Sequence, residues 1–174
     1  MYIPMLCRRY LSIIILGSII GLTFGLLFKN IYHLTAKQSC KWHEKPILIN
    51  CVGEELKEET ILRAIKYWDD KGEEILFYQY YGNDTICNQE ESLEGFIILR
   101  KDNGIIKERE VLATTKRHYR NMFQLISAEI YFDKGTYNFI YLLEHELGHA
   151  FGYNHKKIPG NIMHPYYDMM GTKF

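Results

Sequence analysis

An eleven-residue stretch near the C-terminal end of the chain, from His145 to His155, restricts the fold and the chemistry more than any other feature. On a helix, His145 and His149 lie at positions i and i+4, so both imidazoles project from one face and can bind one cation. Glu146 projects beside that face, toward a water on the cation, which makes it a candidate general base. Gly152 can adopt the left-handed conformation that ends a helix, and the chain reversal would return His155 to the same cation.

Three neutral imidazoles that leave a fourth position for water are typical of a catalytic zinc site. A short segment with the sequence Asn-Ile-Met-His-Pro follows the third histidine. The whole pattern resembles the metzincin signature, H-E-x-x-H-x-x-G-x-x-H with a methionine turn, and Met163 stands where that turn is expected. The resemblance implies a zinc endopeptidase with one catalytic ion on His145, His149 and His155, in which Glu146 takes a proton from the zinc-bound water. Met163 is expected to pack beneath the imidazoles.

Several assignments around this signature stay open at the sequence level. Lys156, which follows the third histidine, is not the Ser, Asp, Glu or Pro of the familiar matrixin, adamalysin, astacin and serralysin branches, so the branch is unassigned. Tyr166 and Tyr167 are two candidates for a phenol that stabilises the oxyanion. Two other functions fit a zinc site: a membrane-held zinc protein that serves binding or assembly, and an amidase that acts on another amide such as a cell-wall peptide.

Charge and length narrow the class of protein. The 174 residues provide for one folded domain and little more. The 21 basic and 21 acidic residues give a formal net charge of zero, so there is no basic surface for nucleic acid. The expected partner is a protein or peptide substrate.

The hydrophobic patterns predict a domain over residues 46–174 with two helices and five strands. In chain order they are a strand at 47–52, a helix at 54–70, strands at 75–81, 96–100, 110–118 and 124–132, and a helix from Thr136 with Ile140, Leu143 and Leu147 as its core stripe. This order resembles a metzincin catalytic domain, an α+β fold in which a twisted, mixed five-stranded sheet is backed by two helices. The second helix carries the zinc ligands, and a short tail with the methionine turn follows.

The segment from Val111 to Thr114 resembles the family strand that forms the sheet edge beside the substrate cleft. In the family, an extended peptide pairs with this edge through main-chain hydrogen bonds. The resemblance implies that Leu112, Ala113 and Thr114 bind the substrate backbone.

The N-terminal region predicts a membrane anchor. After a short segment at 1–10 with two arginines, residues 11–28 carry no charge and are long enough to cross a bilayer as a helix. Residues 29–45 are polar and read as a tether. We expect a single-pass signal anchor with the catalytic domain outside the cytoplasm; a cleaved signal peptide and a secreted domain are the alternative. Gly17, Gly21 and Gly25 share one face of this helix, which would let two such helices approach closely and form a homodimer.

The cysteines are consistent with export. Cys40, Cys51 and Cys87 follow the predicted membrane segment, and three cysteines in an exported domain allow one disulfide. Cys51 and Cys87 both flank predicted strands, so the predicted disulfide joins these two.

Overall fold

The computed structural model describes residues 41–80, 85–89, 92–108, 110–121 and 124–174. The expectations for the N-terminal segment, the membrane anchor, its glycine face and most of the tether lie outside these residues. Within the described ranges, no helix has the length and apolar character needed to cross a membrane.

The described residues form six strands, two α-helices and one 3₁₀ helix. In chain order they are β1 (Lys41–Trp42), β2 (Ile47–Asn50), α1 (Glu58–Asp69), β3 (Phe77–Tyr80), β4 (Phe96–Lys101), β5 (Ala113–Asn121), β6 (Gln124–Phe132), α2 (Leu142–Ala150) and the 3₁₀ helix η1 (Tyr167–Met169). The five predicted strands and both predicted helices are present. The short strand β1 adds a sixth strand and extends the sheet N-terminal to Pro46.

These strands form one mixed sheet, and among the described strands only β5 is antiparallel to its neighbour. The order across the sheet is β5, β6, β4, β2, β3. The short strand β1 pairs with the first residues of β6, on the same side of β6 as β4, which pairs with the later residues of that strand. Ile98 of β4, for example, is paired with Ile49 of β2 on one side and Glu129 of β6 on the other. Strand β5 therefore forms one edge of the sheet, as the family resemblance implies.

One face of the sheet packs on both helices. Leu48, Leu99 and Ile130 point from the central strands into the core, where they meet the apolar sides of α1 and α2. Helix α1 contributes Ile61, Ala64 and Trp68, which are fully buried and recur at helical spacing. Helix α2 is thus held against the sheet on one side and against α1 on another.

Helix α1 begins four residues later than the predicted 54–70. Gly53 has φ of +88° and starts a turn, and Lys57 at the helix N-cap is extended. The Lys57 backbone N–H donates to Asn138 Oδ1 at 2.9 Å, so the start of the helix is fixed by a residue 81 positions further along the chain. Local sequence cannot specify such a boundary.

Helix α2 begins at Leu142 rather than at the predicted Thr136. The Thr136 hydroxyl donates to the Leu112 carbonyl at 2.8 Å, which anchors the segment before the helix to the start of β5. Tyr141 at the N-cap is left-handed, with φ of +67°, a conformation that is uncommon outside glycine. Ile140 is 54% exposed, so its place in the predicted core stripe is wrong, whereas Leu143 and Leu147 are buried as predicted.

Strand β5 runs from Ala113 to Asn121, so it begins and ends three residues later than the predicted 110–118. The shift follows from its pairing with β6, which continues as far as the Asn121–Gln124 pair at the hairpin turn. The predicted 124–132 strand matches β6.

The predicted disulfide between Cys51 and Cys87 is present and closes a segment of 36 residues. It holds the 85–89 segment near the sheet face opposite the helices. Arg100 of β4 reinforces this attachment, because its guanidinium donates to the carbonyls of Cys87 at 2.6 Å and Gln89 at 3.0 Å. All of the cysteines in the described residues are therefore paired.

The same face carries a buried ion pair. Arg100 Nε lies 2.9 Å from Glu129 Oε1, and His118 Nε2 lies 3.5 Å from Glu129 Oε2. Burial acts to raise the pKa of Glu129, but His118 and Arg100 together outweigh it and the pKa is lowered. The carboxylate is thus held in its charged form inside the fold.

Candidate active site

The three predicted zinc ligands lie close together, and each directs its Nε2 atom toward the other two. The Nε2 atoms of His145 and His149 are 3.1 Å apart, those of His149 and His155 are 3.0 Å apart, and those of His145 and His155 are 3.3 Å apart. Nitrogen ligands at three corners of a tetrahedral zinc site are about 3.3–3.4 Å apart, given Zn–N distances of about 2.0–2.1 Å. The three histidines are therefore positioned to bind one metal ion.

Backbone carbonyls fix the tautomer of two of these ligands. His145 Nδ1 lies 2.8 Å from the Ile162 carbonyl oxygen, and His149 Nδ1 lies 2.8 Å from the Tyr153 carbonyl oxygen. A carbonyl oxygen only accepts, so each Nδ1 carries the hydrogen and each Nε2 presents a lone pair. Lone pairs that face each other at about 3 Å repel unless a cation lies between them, which supports a metal site.

Burial also keeps the imidazoles neutral. It lowers the pKa of His145 to about 4 and that of His149 to about 3, and it lowers the pKa of His155 as well. Neutral imidazole is the form that binds zinc. His155 is exposed, so the triad opens to solvent on that side.

Helix α2 ends where the ligand set requires a reversal. Gly152 has φ of +96°, its N–H donates to the His149 carbonyl, and the Tyr153 N–H donates to the Gly148 carbonyl, both at 2.9 Å. These two bonds define a Schellman motif, in which a left-handed residue ends the helix. The predicted role of Gly152 is confirmed, and the reversal brings His155 to the other two histidines.

Glu146 lies in the interior next to the edge strand. Its side chain is 4% exposed, and Thr115 Oγ1 of β5 donates to its Oε2 at 2.5 Å and lies 3.1 Å from its carbonyl oxygen. Burial raises the pKa of Glu146 to about 7, while the Thr115 hydrogen bond acts to lower it. A carboxyl group with this pKa can both accept and release a proton near neutral pH.

Met163 is fully buried beneath helix α2, against Gly148. A Cβ atom built on Gly148 would lie 2.3 Å from Met163 Sδ, so only glycine permits this approach. The turn itself is fixed by Asn161 Oδ1, which accepts from the Met163 N–H at 2.9 Å, and by the Lys156 N–H, which donates to the Met163 carbonyl at 2.8 Å. The methionine turn is thereby tied to the residue that follows the third histidine.

The remaining predicted residues are the edge-strand segment and the two tyrosines after the methionine turn. Ala113 and Thr114 belong to the edge strand β5, and Leu112 precedes it. Tyr166 is 64% exposed and its ring contacts His164, whereas the Tyr167 ring contacts Phe139 with a centroid separation of 5.6 Å. These ring contacts do not single out either tyrosine for a catalytic role.

Sequence reasoning missed Thr115 and the two carbonyls that orient the histidines. Thr115 lies one residue beyond the predicted substrate-binding segment, and nothing in its local sequence indicates a partner in a helix 31 residues away. A backbone carbonyl has no sequence signal at all.

Helix α2 bears two histidines four residues apart with a glutamate between them, and it packs beneath a mixed sheet. A third histidine and a buried methionine follow it. This arrangement defines a zinc metalloendopeptidase. A family model described as matrixin matches residues 49–174. The chain therefore belongs to the matrixin family, although Lys156 departs from its usual pattern. Among curated proteins, no match to the chain is found.

Proposed function

We propose that the protein is a membrane-anchored zinc endopeptidase that cleaves protein or peptide substrates bound in an extended conformation, with Glu146 as the general base. The observation that carries this proposal is the buried Glu146 carboxylate, which follows the ligand His145 in α2 and is hydrogen-bonded to Thr115 of the edge strand. This arrangement brings together a metal triad, a proton acceptor and a strand that can pair with a peptide.

The chain's residues divide the chemistry between them. Zinc on His145, His149 and His155 would supply Lewis acidity, which polarises the scissile carbonyl and acidifies water. Glu146 accepts the proton of the attacking water and delivers it to the leaving amine. Its raised pKa suits both steps, because a strongly acidic carboxyl group would be a poor acceptor.

Backbone alternation specifies which residues of the edge strand can pair with substrate. The Asp133 N–H donates to the Leu112 carbonyl at 2.9 Å, so the backbone groups of Leu112 point toward β6. Neighbouring residues of a strand alternate in this direction, so Ala113 and Thr115 direct their N–H and C=O groups outward, whereas Thr114 points inward. We therefore propose that a substrate strand pairs with Ala113 and Thr115. The expected backbone pairing of Leu112, Ala113 and Thr114 is narrowed to Ala113, because the backbone groups of Leu112 and Thr114 face β6.

Met163, Tyr166 and Tyr167 complete the proposed site. Met163 supports the imidazoles from beneath α2, where its sulfur packs against Gly148. Stabilisation of the oxyanion by a phenol of Tyr166 or Tyr167 remains part of the proposal.

The proposal also includes the location of the protein. Residues 11–28 serve as a single-pass anchor that leaves the catalytic domain outside the cytoplasm, and Gly17, Gly21 and Gly25 offer a face for a homodimer. The Cys51–Cys87 disulfide supports export, because disulfides persist in oxidising compartments. Alkaline carbonate extraction of cells tests the anchor: an anchored chain stays in the membrane pellet, and a secreted one is released.

The activity is tested with the full chain and its Glu146→Gln variant, both loaded with zinc and incubated with an unfolded protein, with products read by mass spectrometry. Glu58→Gln, a change at an exposed acid in α1, is the matched control. We expect equal zinc content in all three proteins, cleavage by the parent and the control, and loss of cleavage in Glu146→Gln. Equal zinc content with no cleavage by the parent would contradict the proposed endopeptidase activity, and undiminished cleavage by Glu146→Gln would contradict the role of the base.

A further inference from the structure

The four residues Gly171–Phe174, which we call the strap, fold back onto the methionine-turn segment. Lys173 forms a parallel bridge with Asn161: its N–H donates to the Gly160 carbonyl at 3.0 Å, and its carbonyl accepts from the Ile162 N–H at 2.7 Å. Tyr67 of α1 adds a third attachment, because its hydroxyl donates to the Thr172 carbonyl at 3.1 Å. The strap is therefore bound to the methionine-turn segment and to α1.

The first ligand depends on this bridge through one residue. Ile162, whose N–H is held by the strap, is the residue whose carbonyl accepts the hydrogen bond from His145 Nδ1. The position of that carbonyl sets the orientation of the His145 ring. A displaced strap would release the N–H of Ile162 and allow its carbonyl to turn.

Phe174 connects the strap to the residues beside the second and third ligands. Its ring packs edge-on against Tyr153 at a centroid separation of 4.8 Å, and Tyr153 provides the carbonyl that orients His149. The Lys156 ammonium lies 4.4 Å from the centroid of the same ring, in a cation–π contact, and Lys156 directly follows His155. The departure from the family pattern at Lys156 thus has a partner in the strap.

The position of the strap is set by a close backbone approach. A Cβ atom built on Gly171 would lie 2.7 Å from the Gly160 carbonyl oxygen and 3.0 Å from Gly160 Cα. Because both atoms belong to the backbone, no side-chain rotation can make room. Any larger residue at position 171 must move the strap away from the turn.

We propose that the strap is a positioning element for the zinc ligands: through Ile162 and Tyr153 it holds the carbonyls that orient His145 and His149, and through Lys156 it contacts the residue that follows His155. The inference rests on the proposed role of these histidines as ligands. It predicts that changes in the strap reduce the free energy of zinc binding by more than they reduce the free energy of unfolding of the zinc-free protein.

The test measures zinc affinity of the full chain by competition with a chromophoric chelator, together with the visible spectrum of the cobalt-substituted protein. Phe174→Ala and Gly171→Ala are the test variants, Phe174→Tyr is the conservative rescue, and Phe77→Ala on the far edge of the sheet is the control. Phe77 is 49% exposed and Phe174 is 39% exposed, so the two truncations remove similar exposed rings. We expect the zinc dissociation constant to rise about tenfold or more in both test variants, with altered cobalt bands. Phe174→Tyr and Phe77→Ala should retain the affinity of the parent.

Unfolding experiments separate positioning from simple stabilisation. The increase in unfolding free energy on adding zinc should be smaller in Phe174→Ala than in the parent, because the variant binds the ion more weakly. An unchanged increase, or zinc affinities within twofold of the parent in both variants, would overturn the proposal for the strap alone. Failure of the parent to bind zinc would overturn the ligand assignment itself, and the strap proposal with it.

Discussion

Replacing Gly148 with alanine should destabilise the domain, although alanine is the better helix former. Gly148 lies within α2, and a Cβ atom there would lie 2.3 Å from Met163 Sδ and 2.6 Å from Trp68 Cζ2. The methionine side chain can rotate away. The indole cannot easily do so, because Trp68 is fully buried, donates from Nε1 to the Glu144 carbonyl at 2.7 Å, and stacks on the Tyr153 ring at 5.2 Å.

The magnitude follows from the overlap. Ordinary Cβ contacts begin at 3.4 Å, so the Trp68 ring or helix α2 must move by about 0.8 Å. Overpacking a core in this way typically costs about 1–3 kcal/mol. The gain in helix propensity from glycine to alanine is about 1 kcal/mol. Subtracting the gain from the cost, we expect the free energy of unfolding to fall by up to about 2 kcal/mol, and zinc affinity to fall as well, since Met163 is displaced from beneath the histidine helix.

Equilibrium urea unfolding of the zinc-free protein, followed by circular dichroism, measures the first effect, and chelator competition measures the second. Lys66→Ala in α1 is the control for a change to alanine without overlap, because the Lys66 side chain is exposed and the ion pair with Asp70 that it loses is worth only about 0.2–0.5 kcal/mol. The reasoning is refuted if Gly148→Ala raises the free energy of unfolding by about 1 kcal/mol, the value expected for an unobstructed helix glycine.

Three further changes test separate parts of the description. Thr115→Val removes the hydrogen bond to Glu146, so the pKa of the Glu146 carboxyl should rise further. We expect kcat/KM to fall about tenfold at neutral pH and the acidic limb of the pH profile of kcat/KM to move to higher pH, with zinc content unchanged. Replacing Cys51 and Cys87 together with serine should lower the free energy of unfolding by about 4 kcal/mol, because a closed segment of 36 residues is released; a loss below about 1 kcal/mol would contradict this. Glu129→Gln should cost about 1.5–3 kcal/mol at pH 7. The pKa of Glu129 is lower in the folded protein than in the unfolded protein. Its stabilising contribution is therefore present at pH values above the pKa of the unfolded state and is lost as the pH falls through the pKa of the folded state. Variant and parent should converge in stability in acid, as measured by urea unfolding across pH.

Sequence patterns predicted the features that depend on short-range spacing. The i, i+4 relation of His145 and His149, the left-handed Gly152 and the alternating strand that becomes β6 are all properties of a few neighbouring residues. The disulfide between Cys51 and Cys87 was predicted because both cysteines flank predicted strands. The helix, glycine and strand predictions are confirmed because their physical cause lies within a few neighbouring residues, whereas the disulfide joins residues 36 positions apart and was predicted from the strands beside its cysteines.

The errors occur where a distant residue competes with local preference. Apolar periodicity continues back to Ile140 and so predicted an earlier start for α2, but Thr136 is bound to the carbonyl of Leu112 in another part of the chain. Similarly, the acids from Glu54 onward are suited to a helix N-terminus, yet Asn138 fixes the start of α1 four residues later. Such contacts readily shift the residue at which a helix begins, since the terminal backbone groups lack partners within the helix.

The sequence by itself determined the composition of the centre: which three side chains are positioned to bind the metal, which carboxyl group follows the first of them, and where the chain must reverse. These follow from helix geometry, which repeats every few residues and so is visible in spacing. The tertiary structure alone decided how the centre is held. Thr115, the carbonyls of Ile162 and Tyr153, and the strap all reach the site across the fold. Hydrogen bonds to backbone atoms and the packing of aromatic rings depend on where the chain passes in space, and no local pattern of residue types records that.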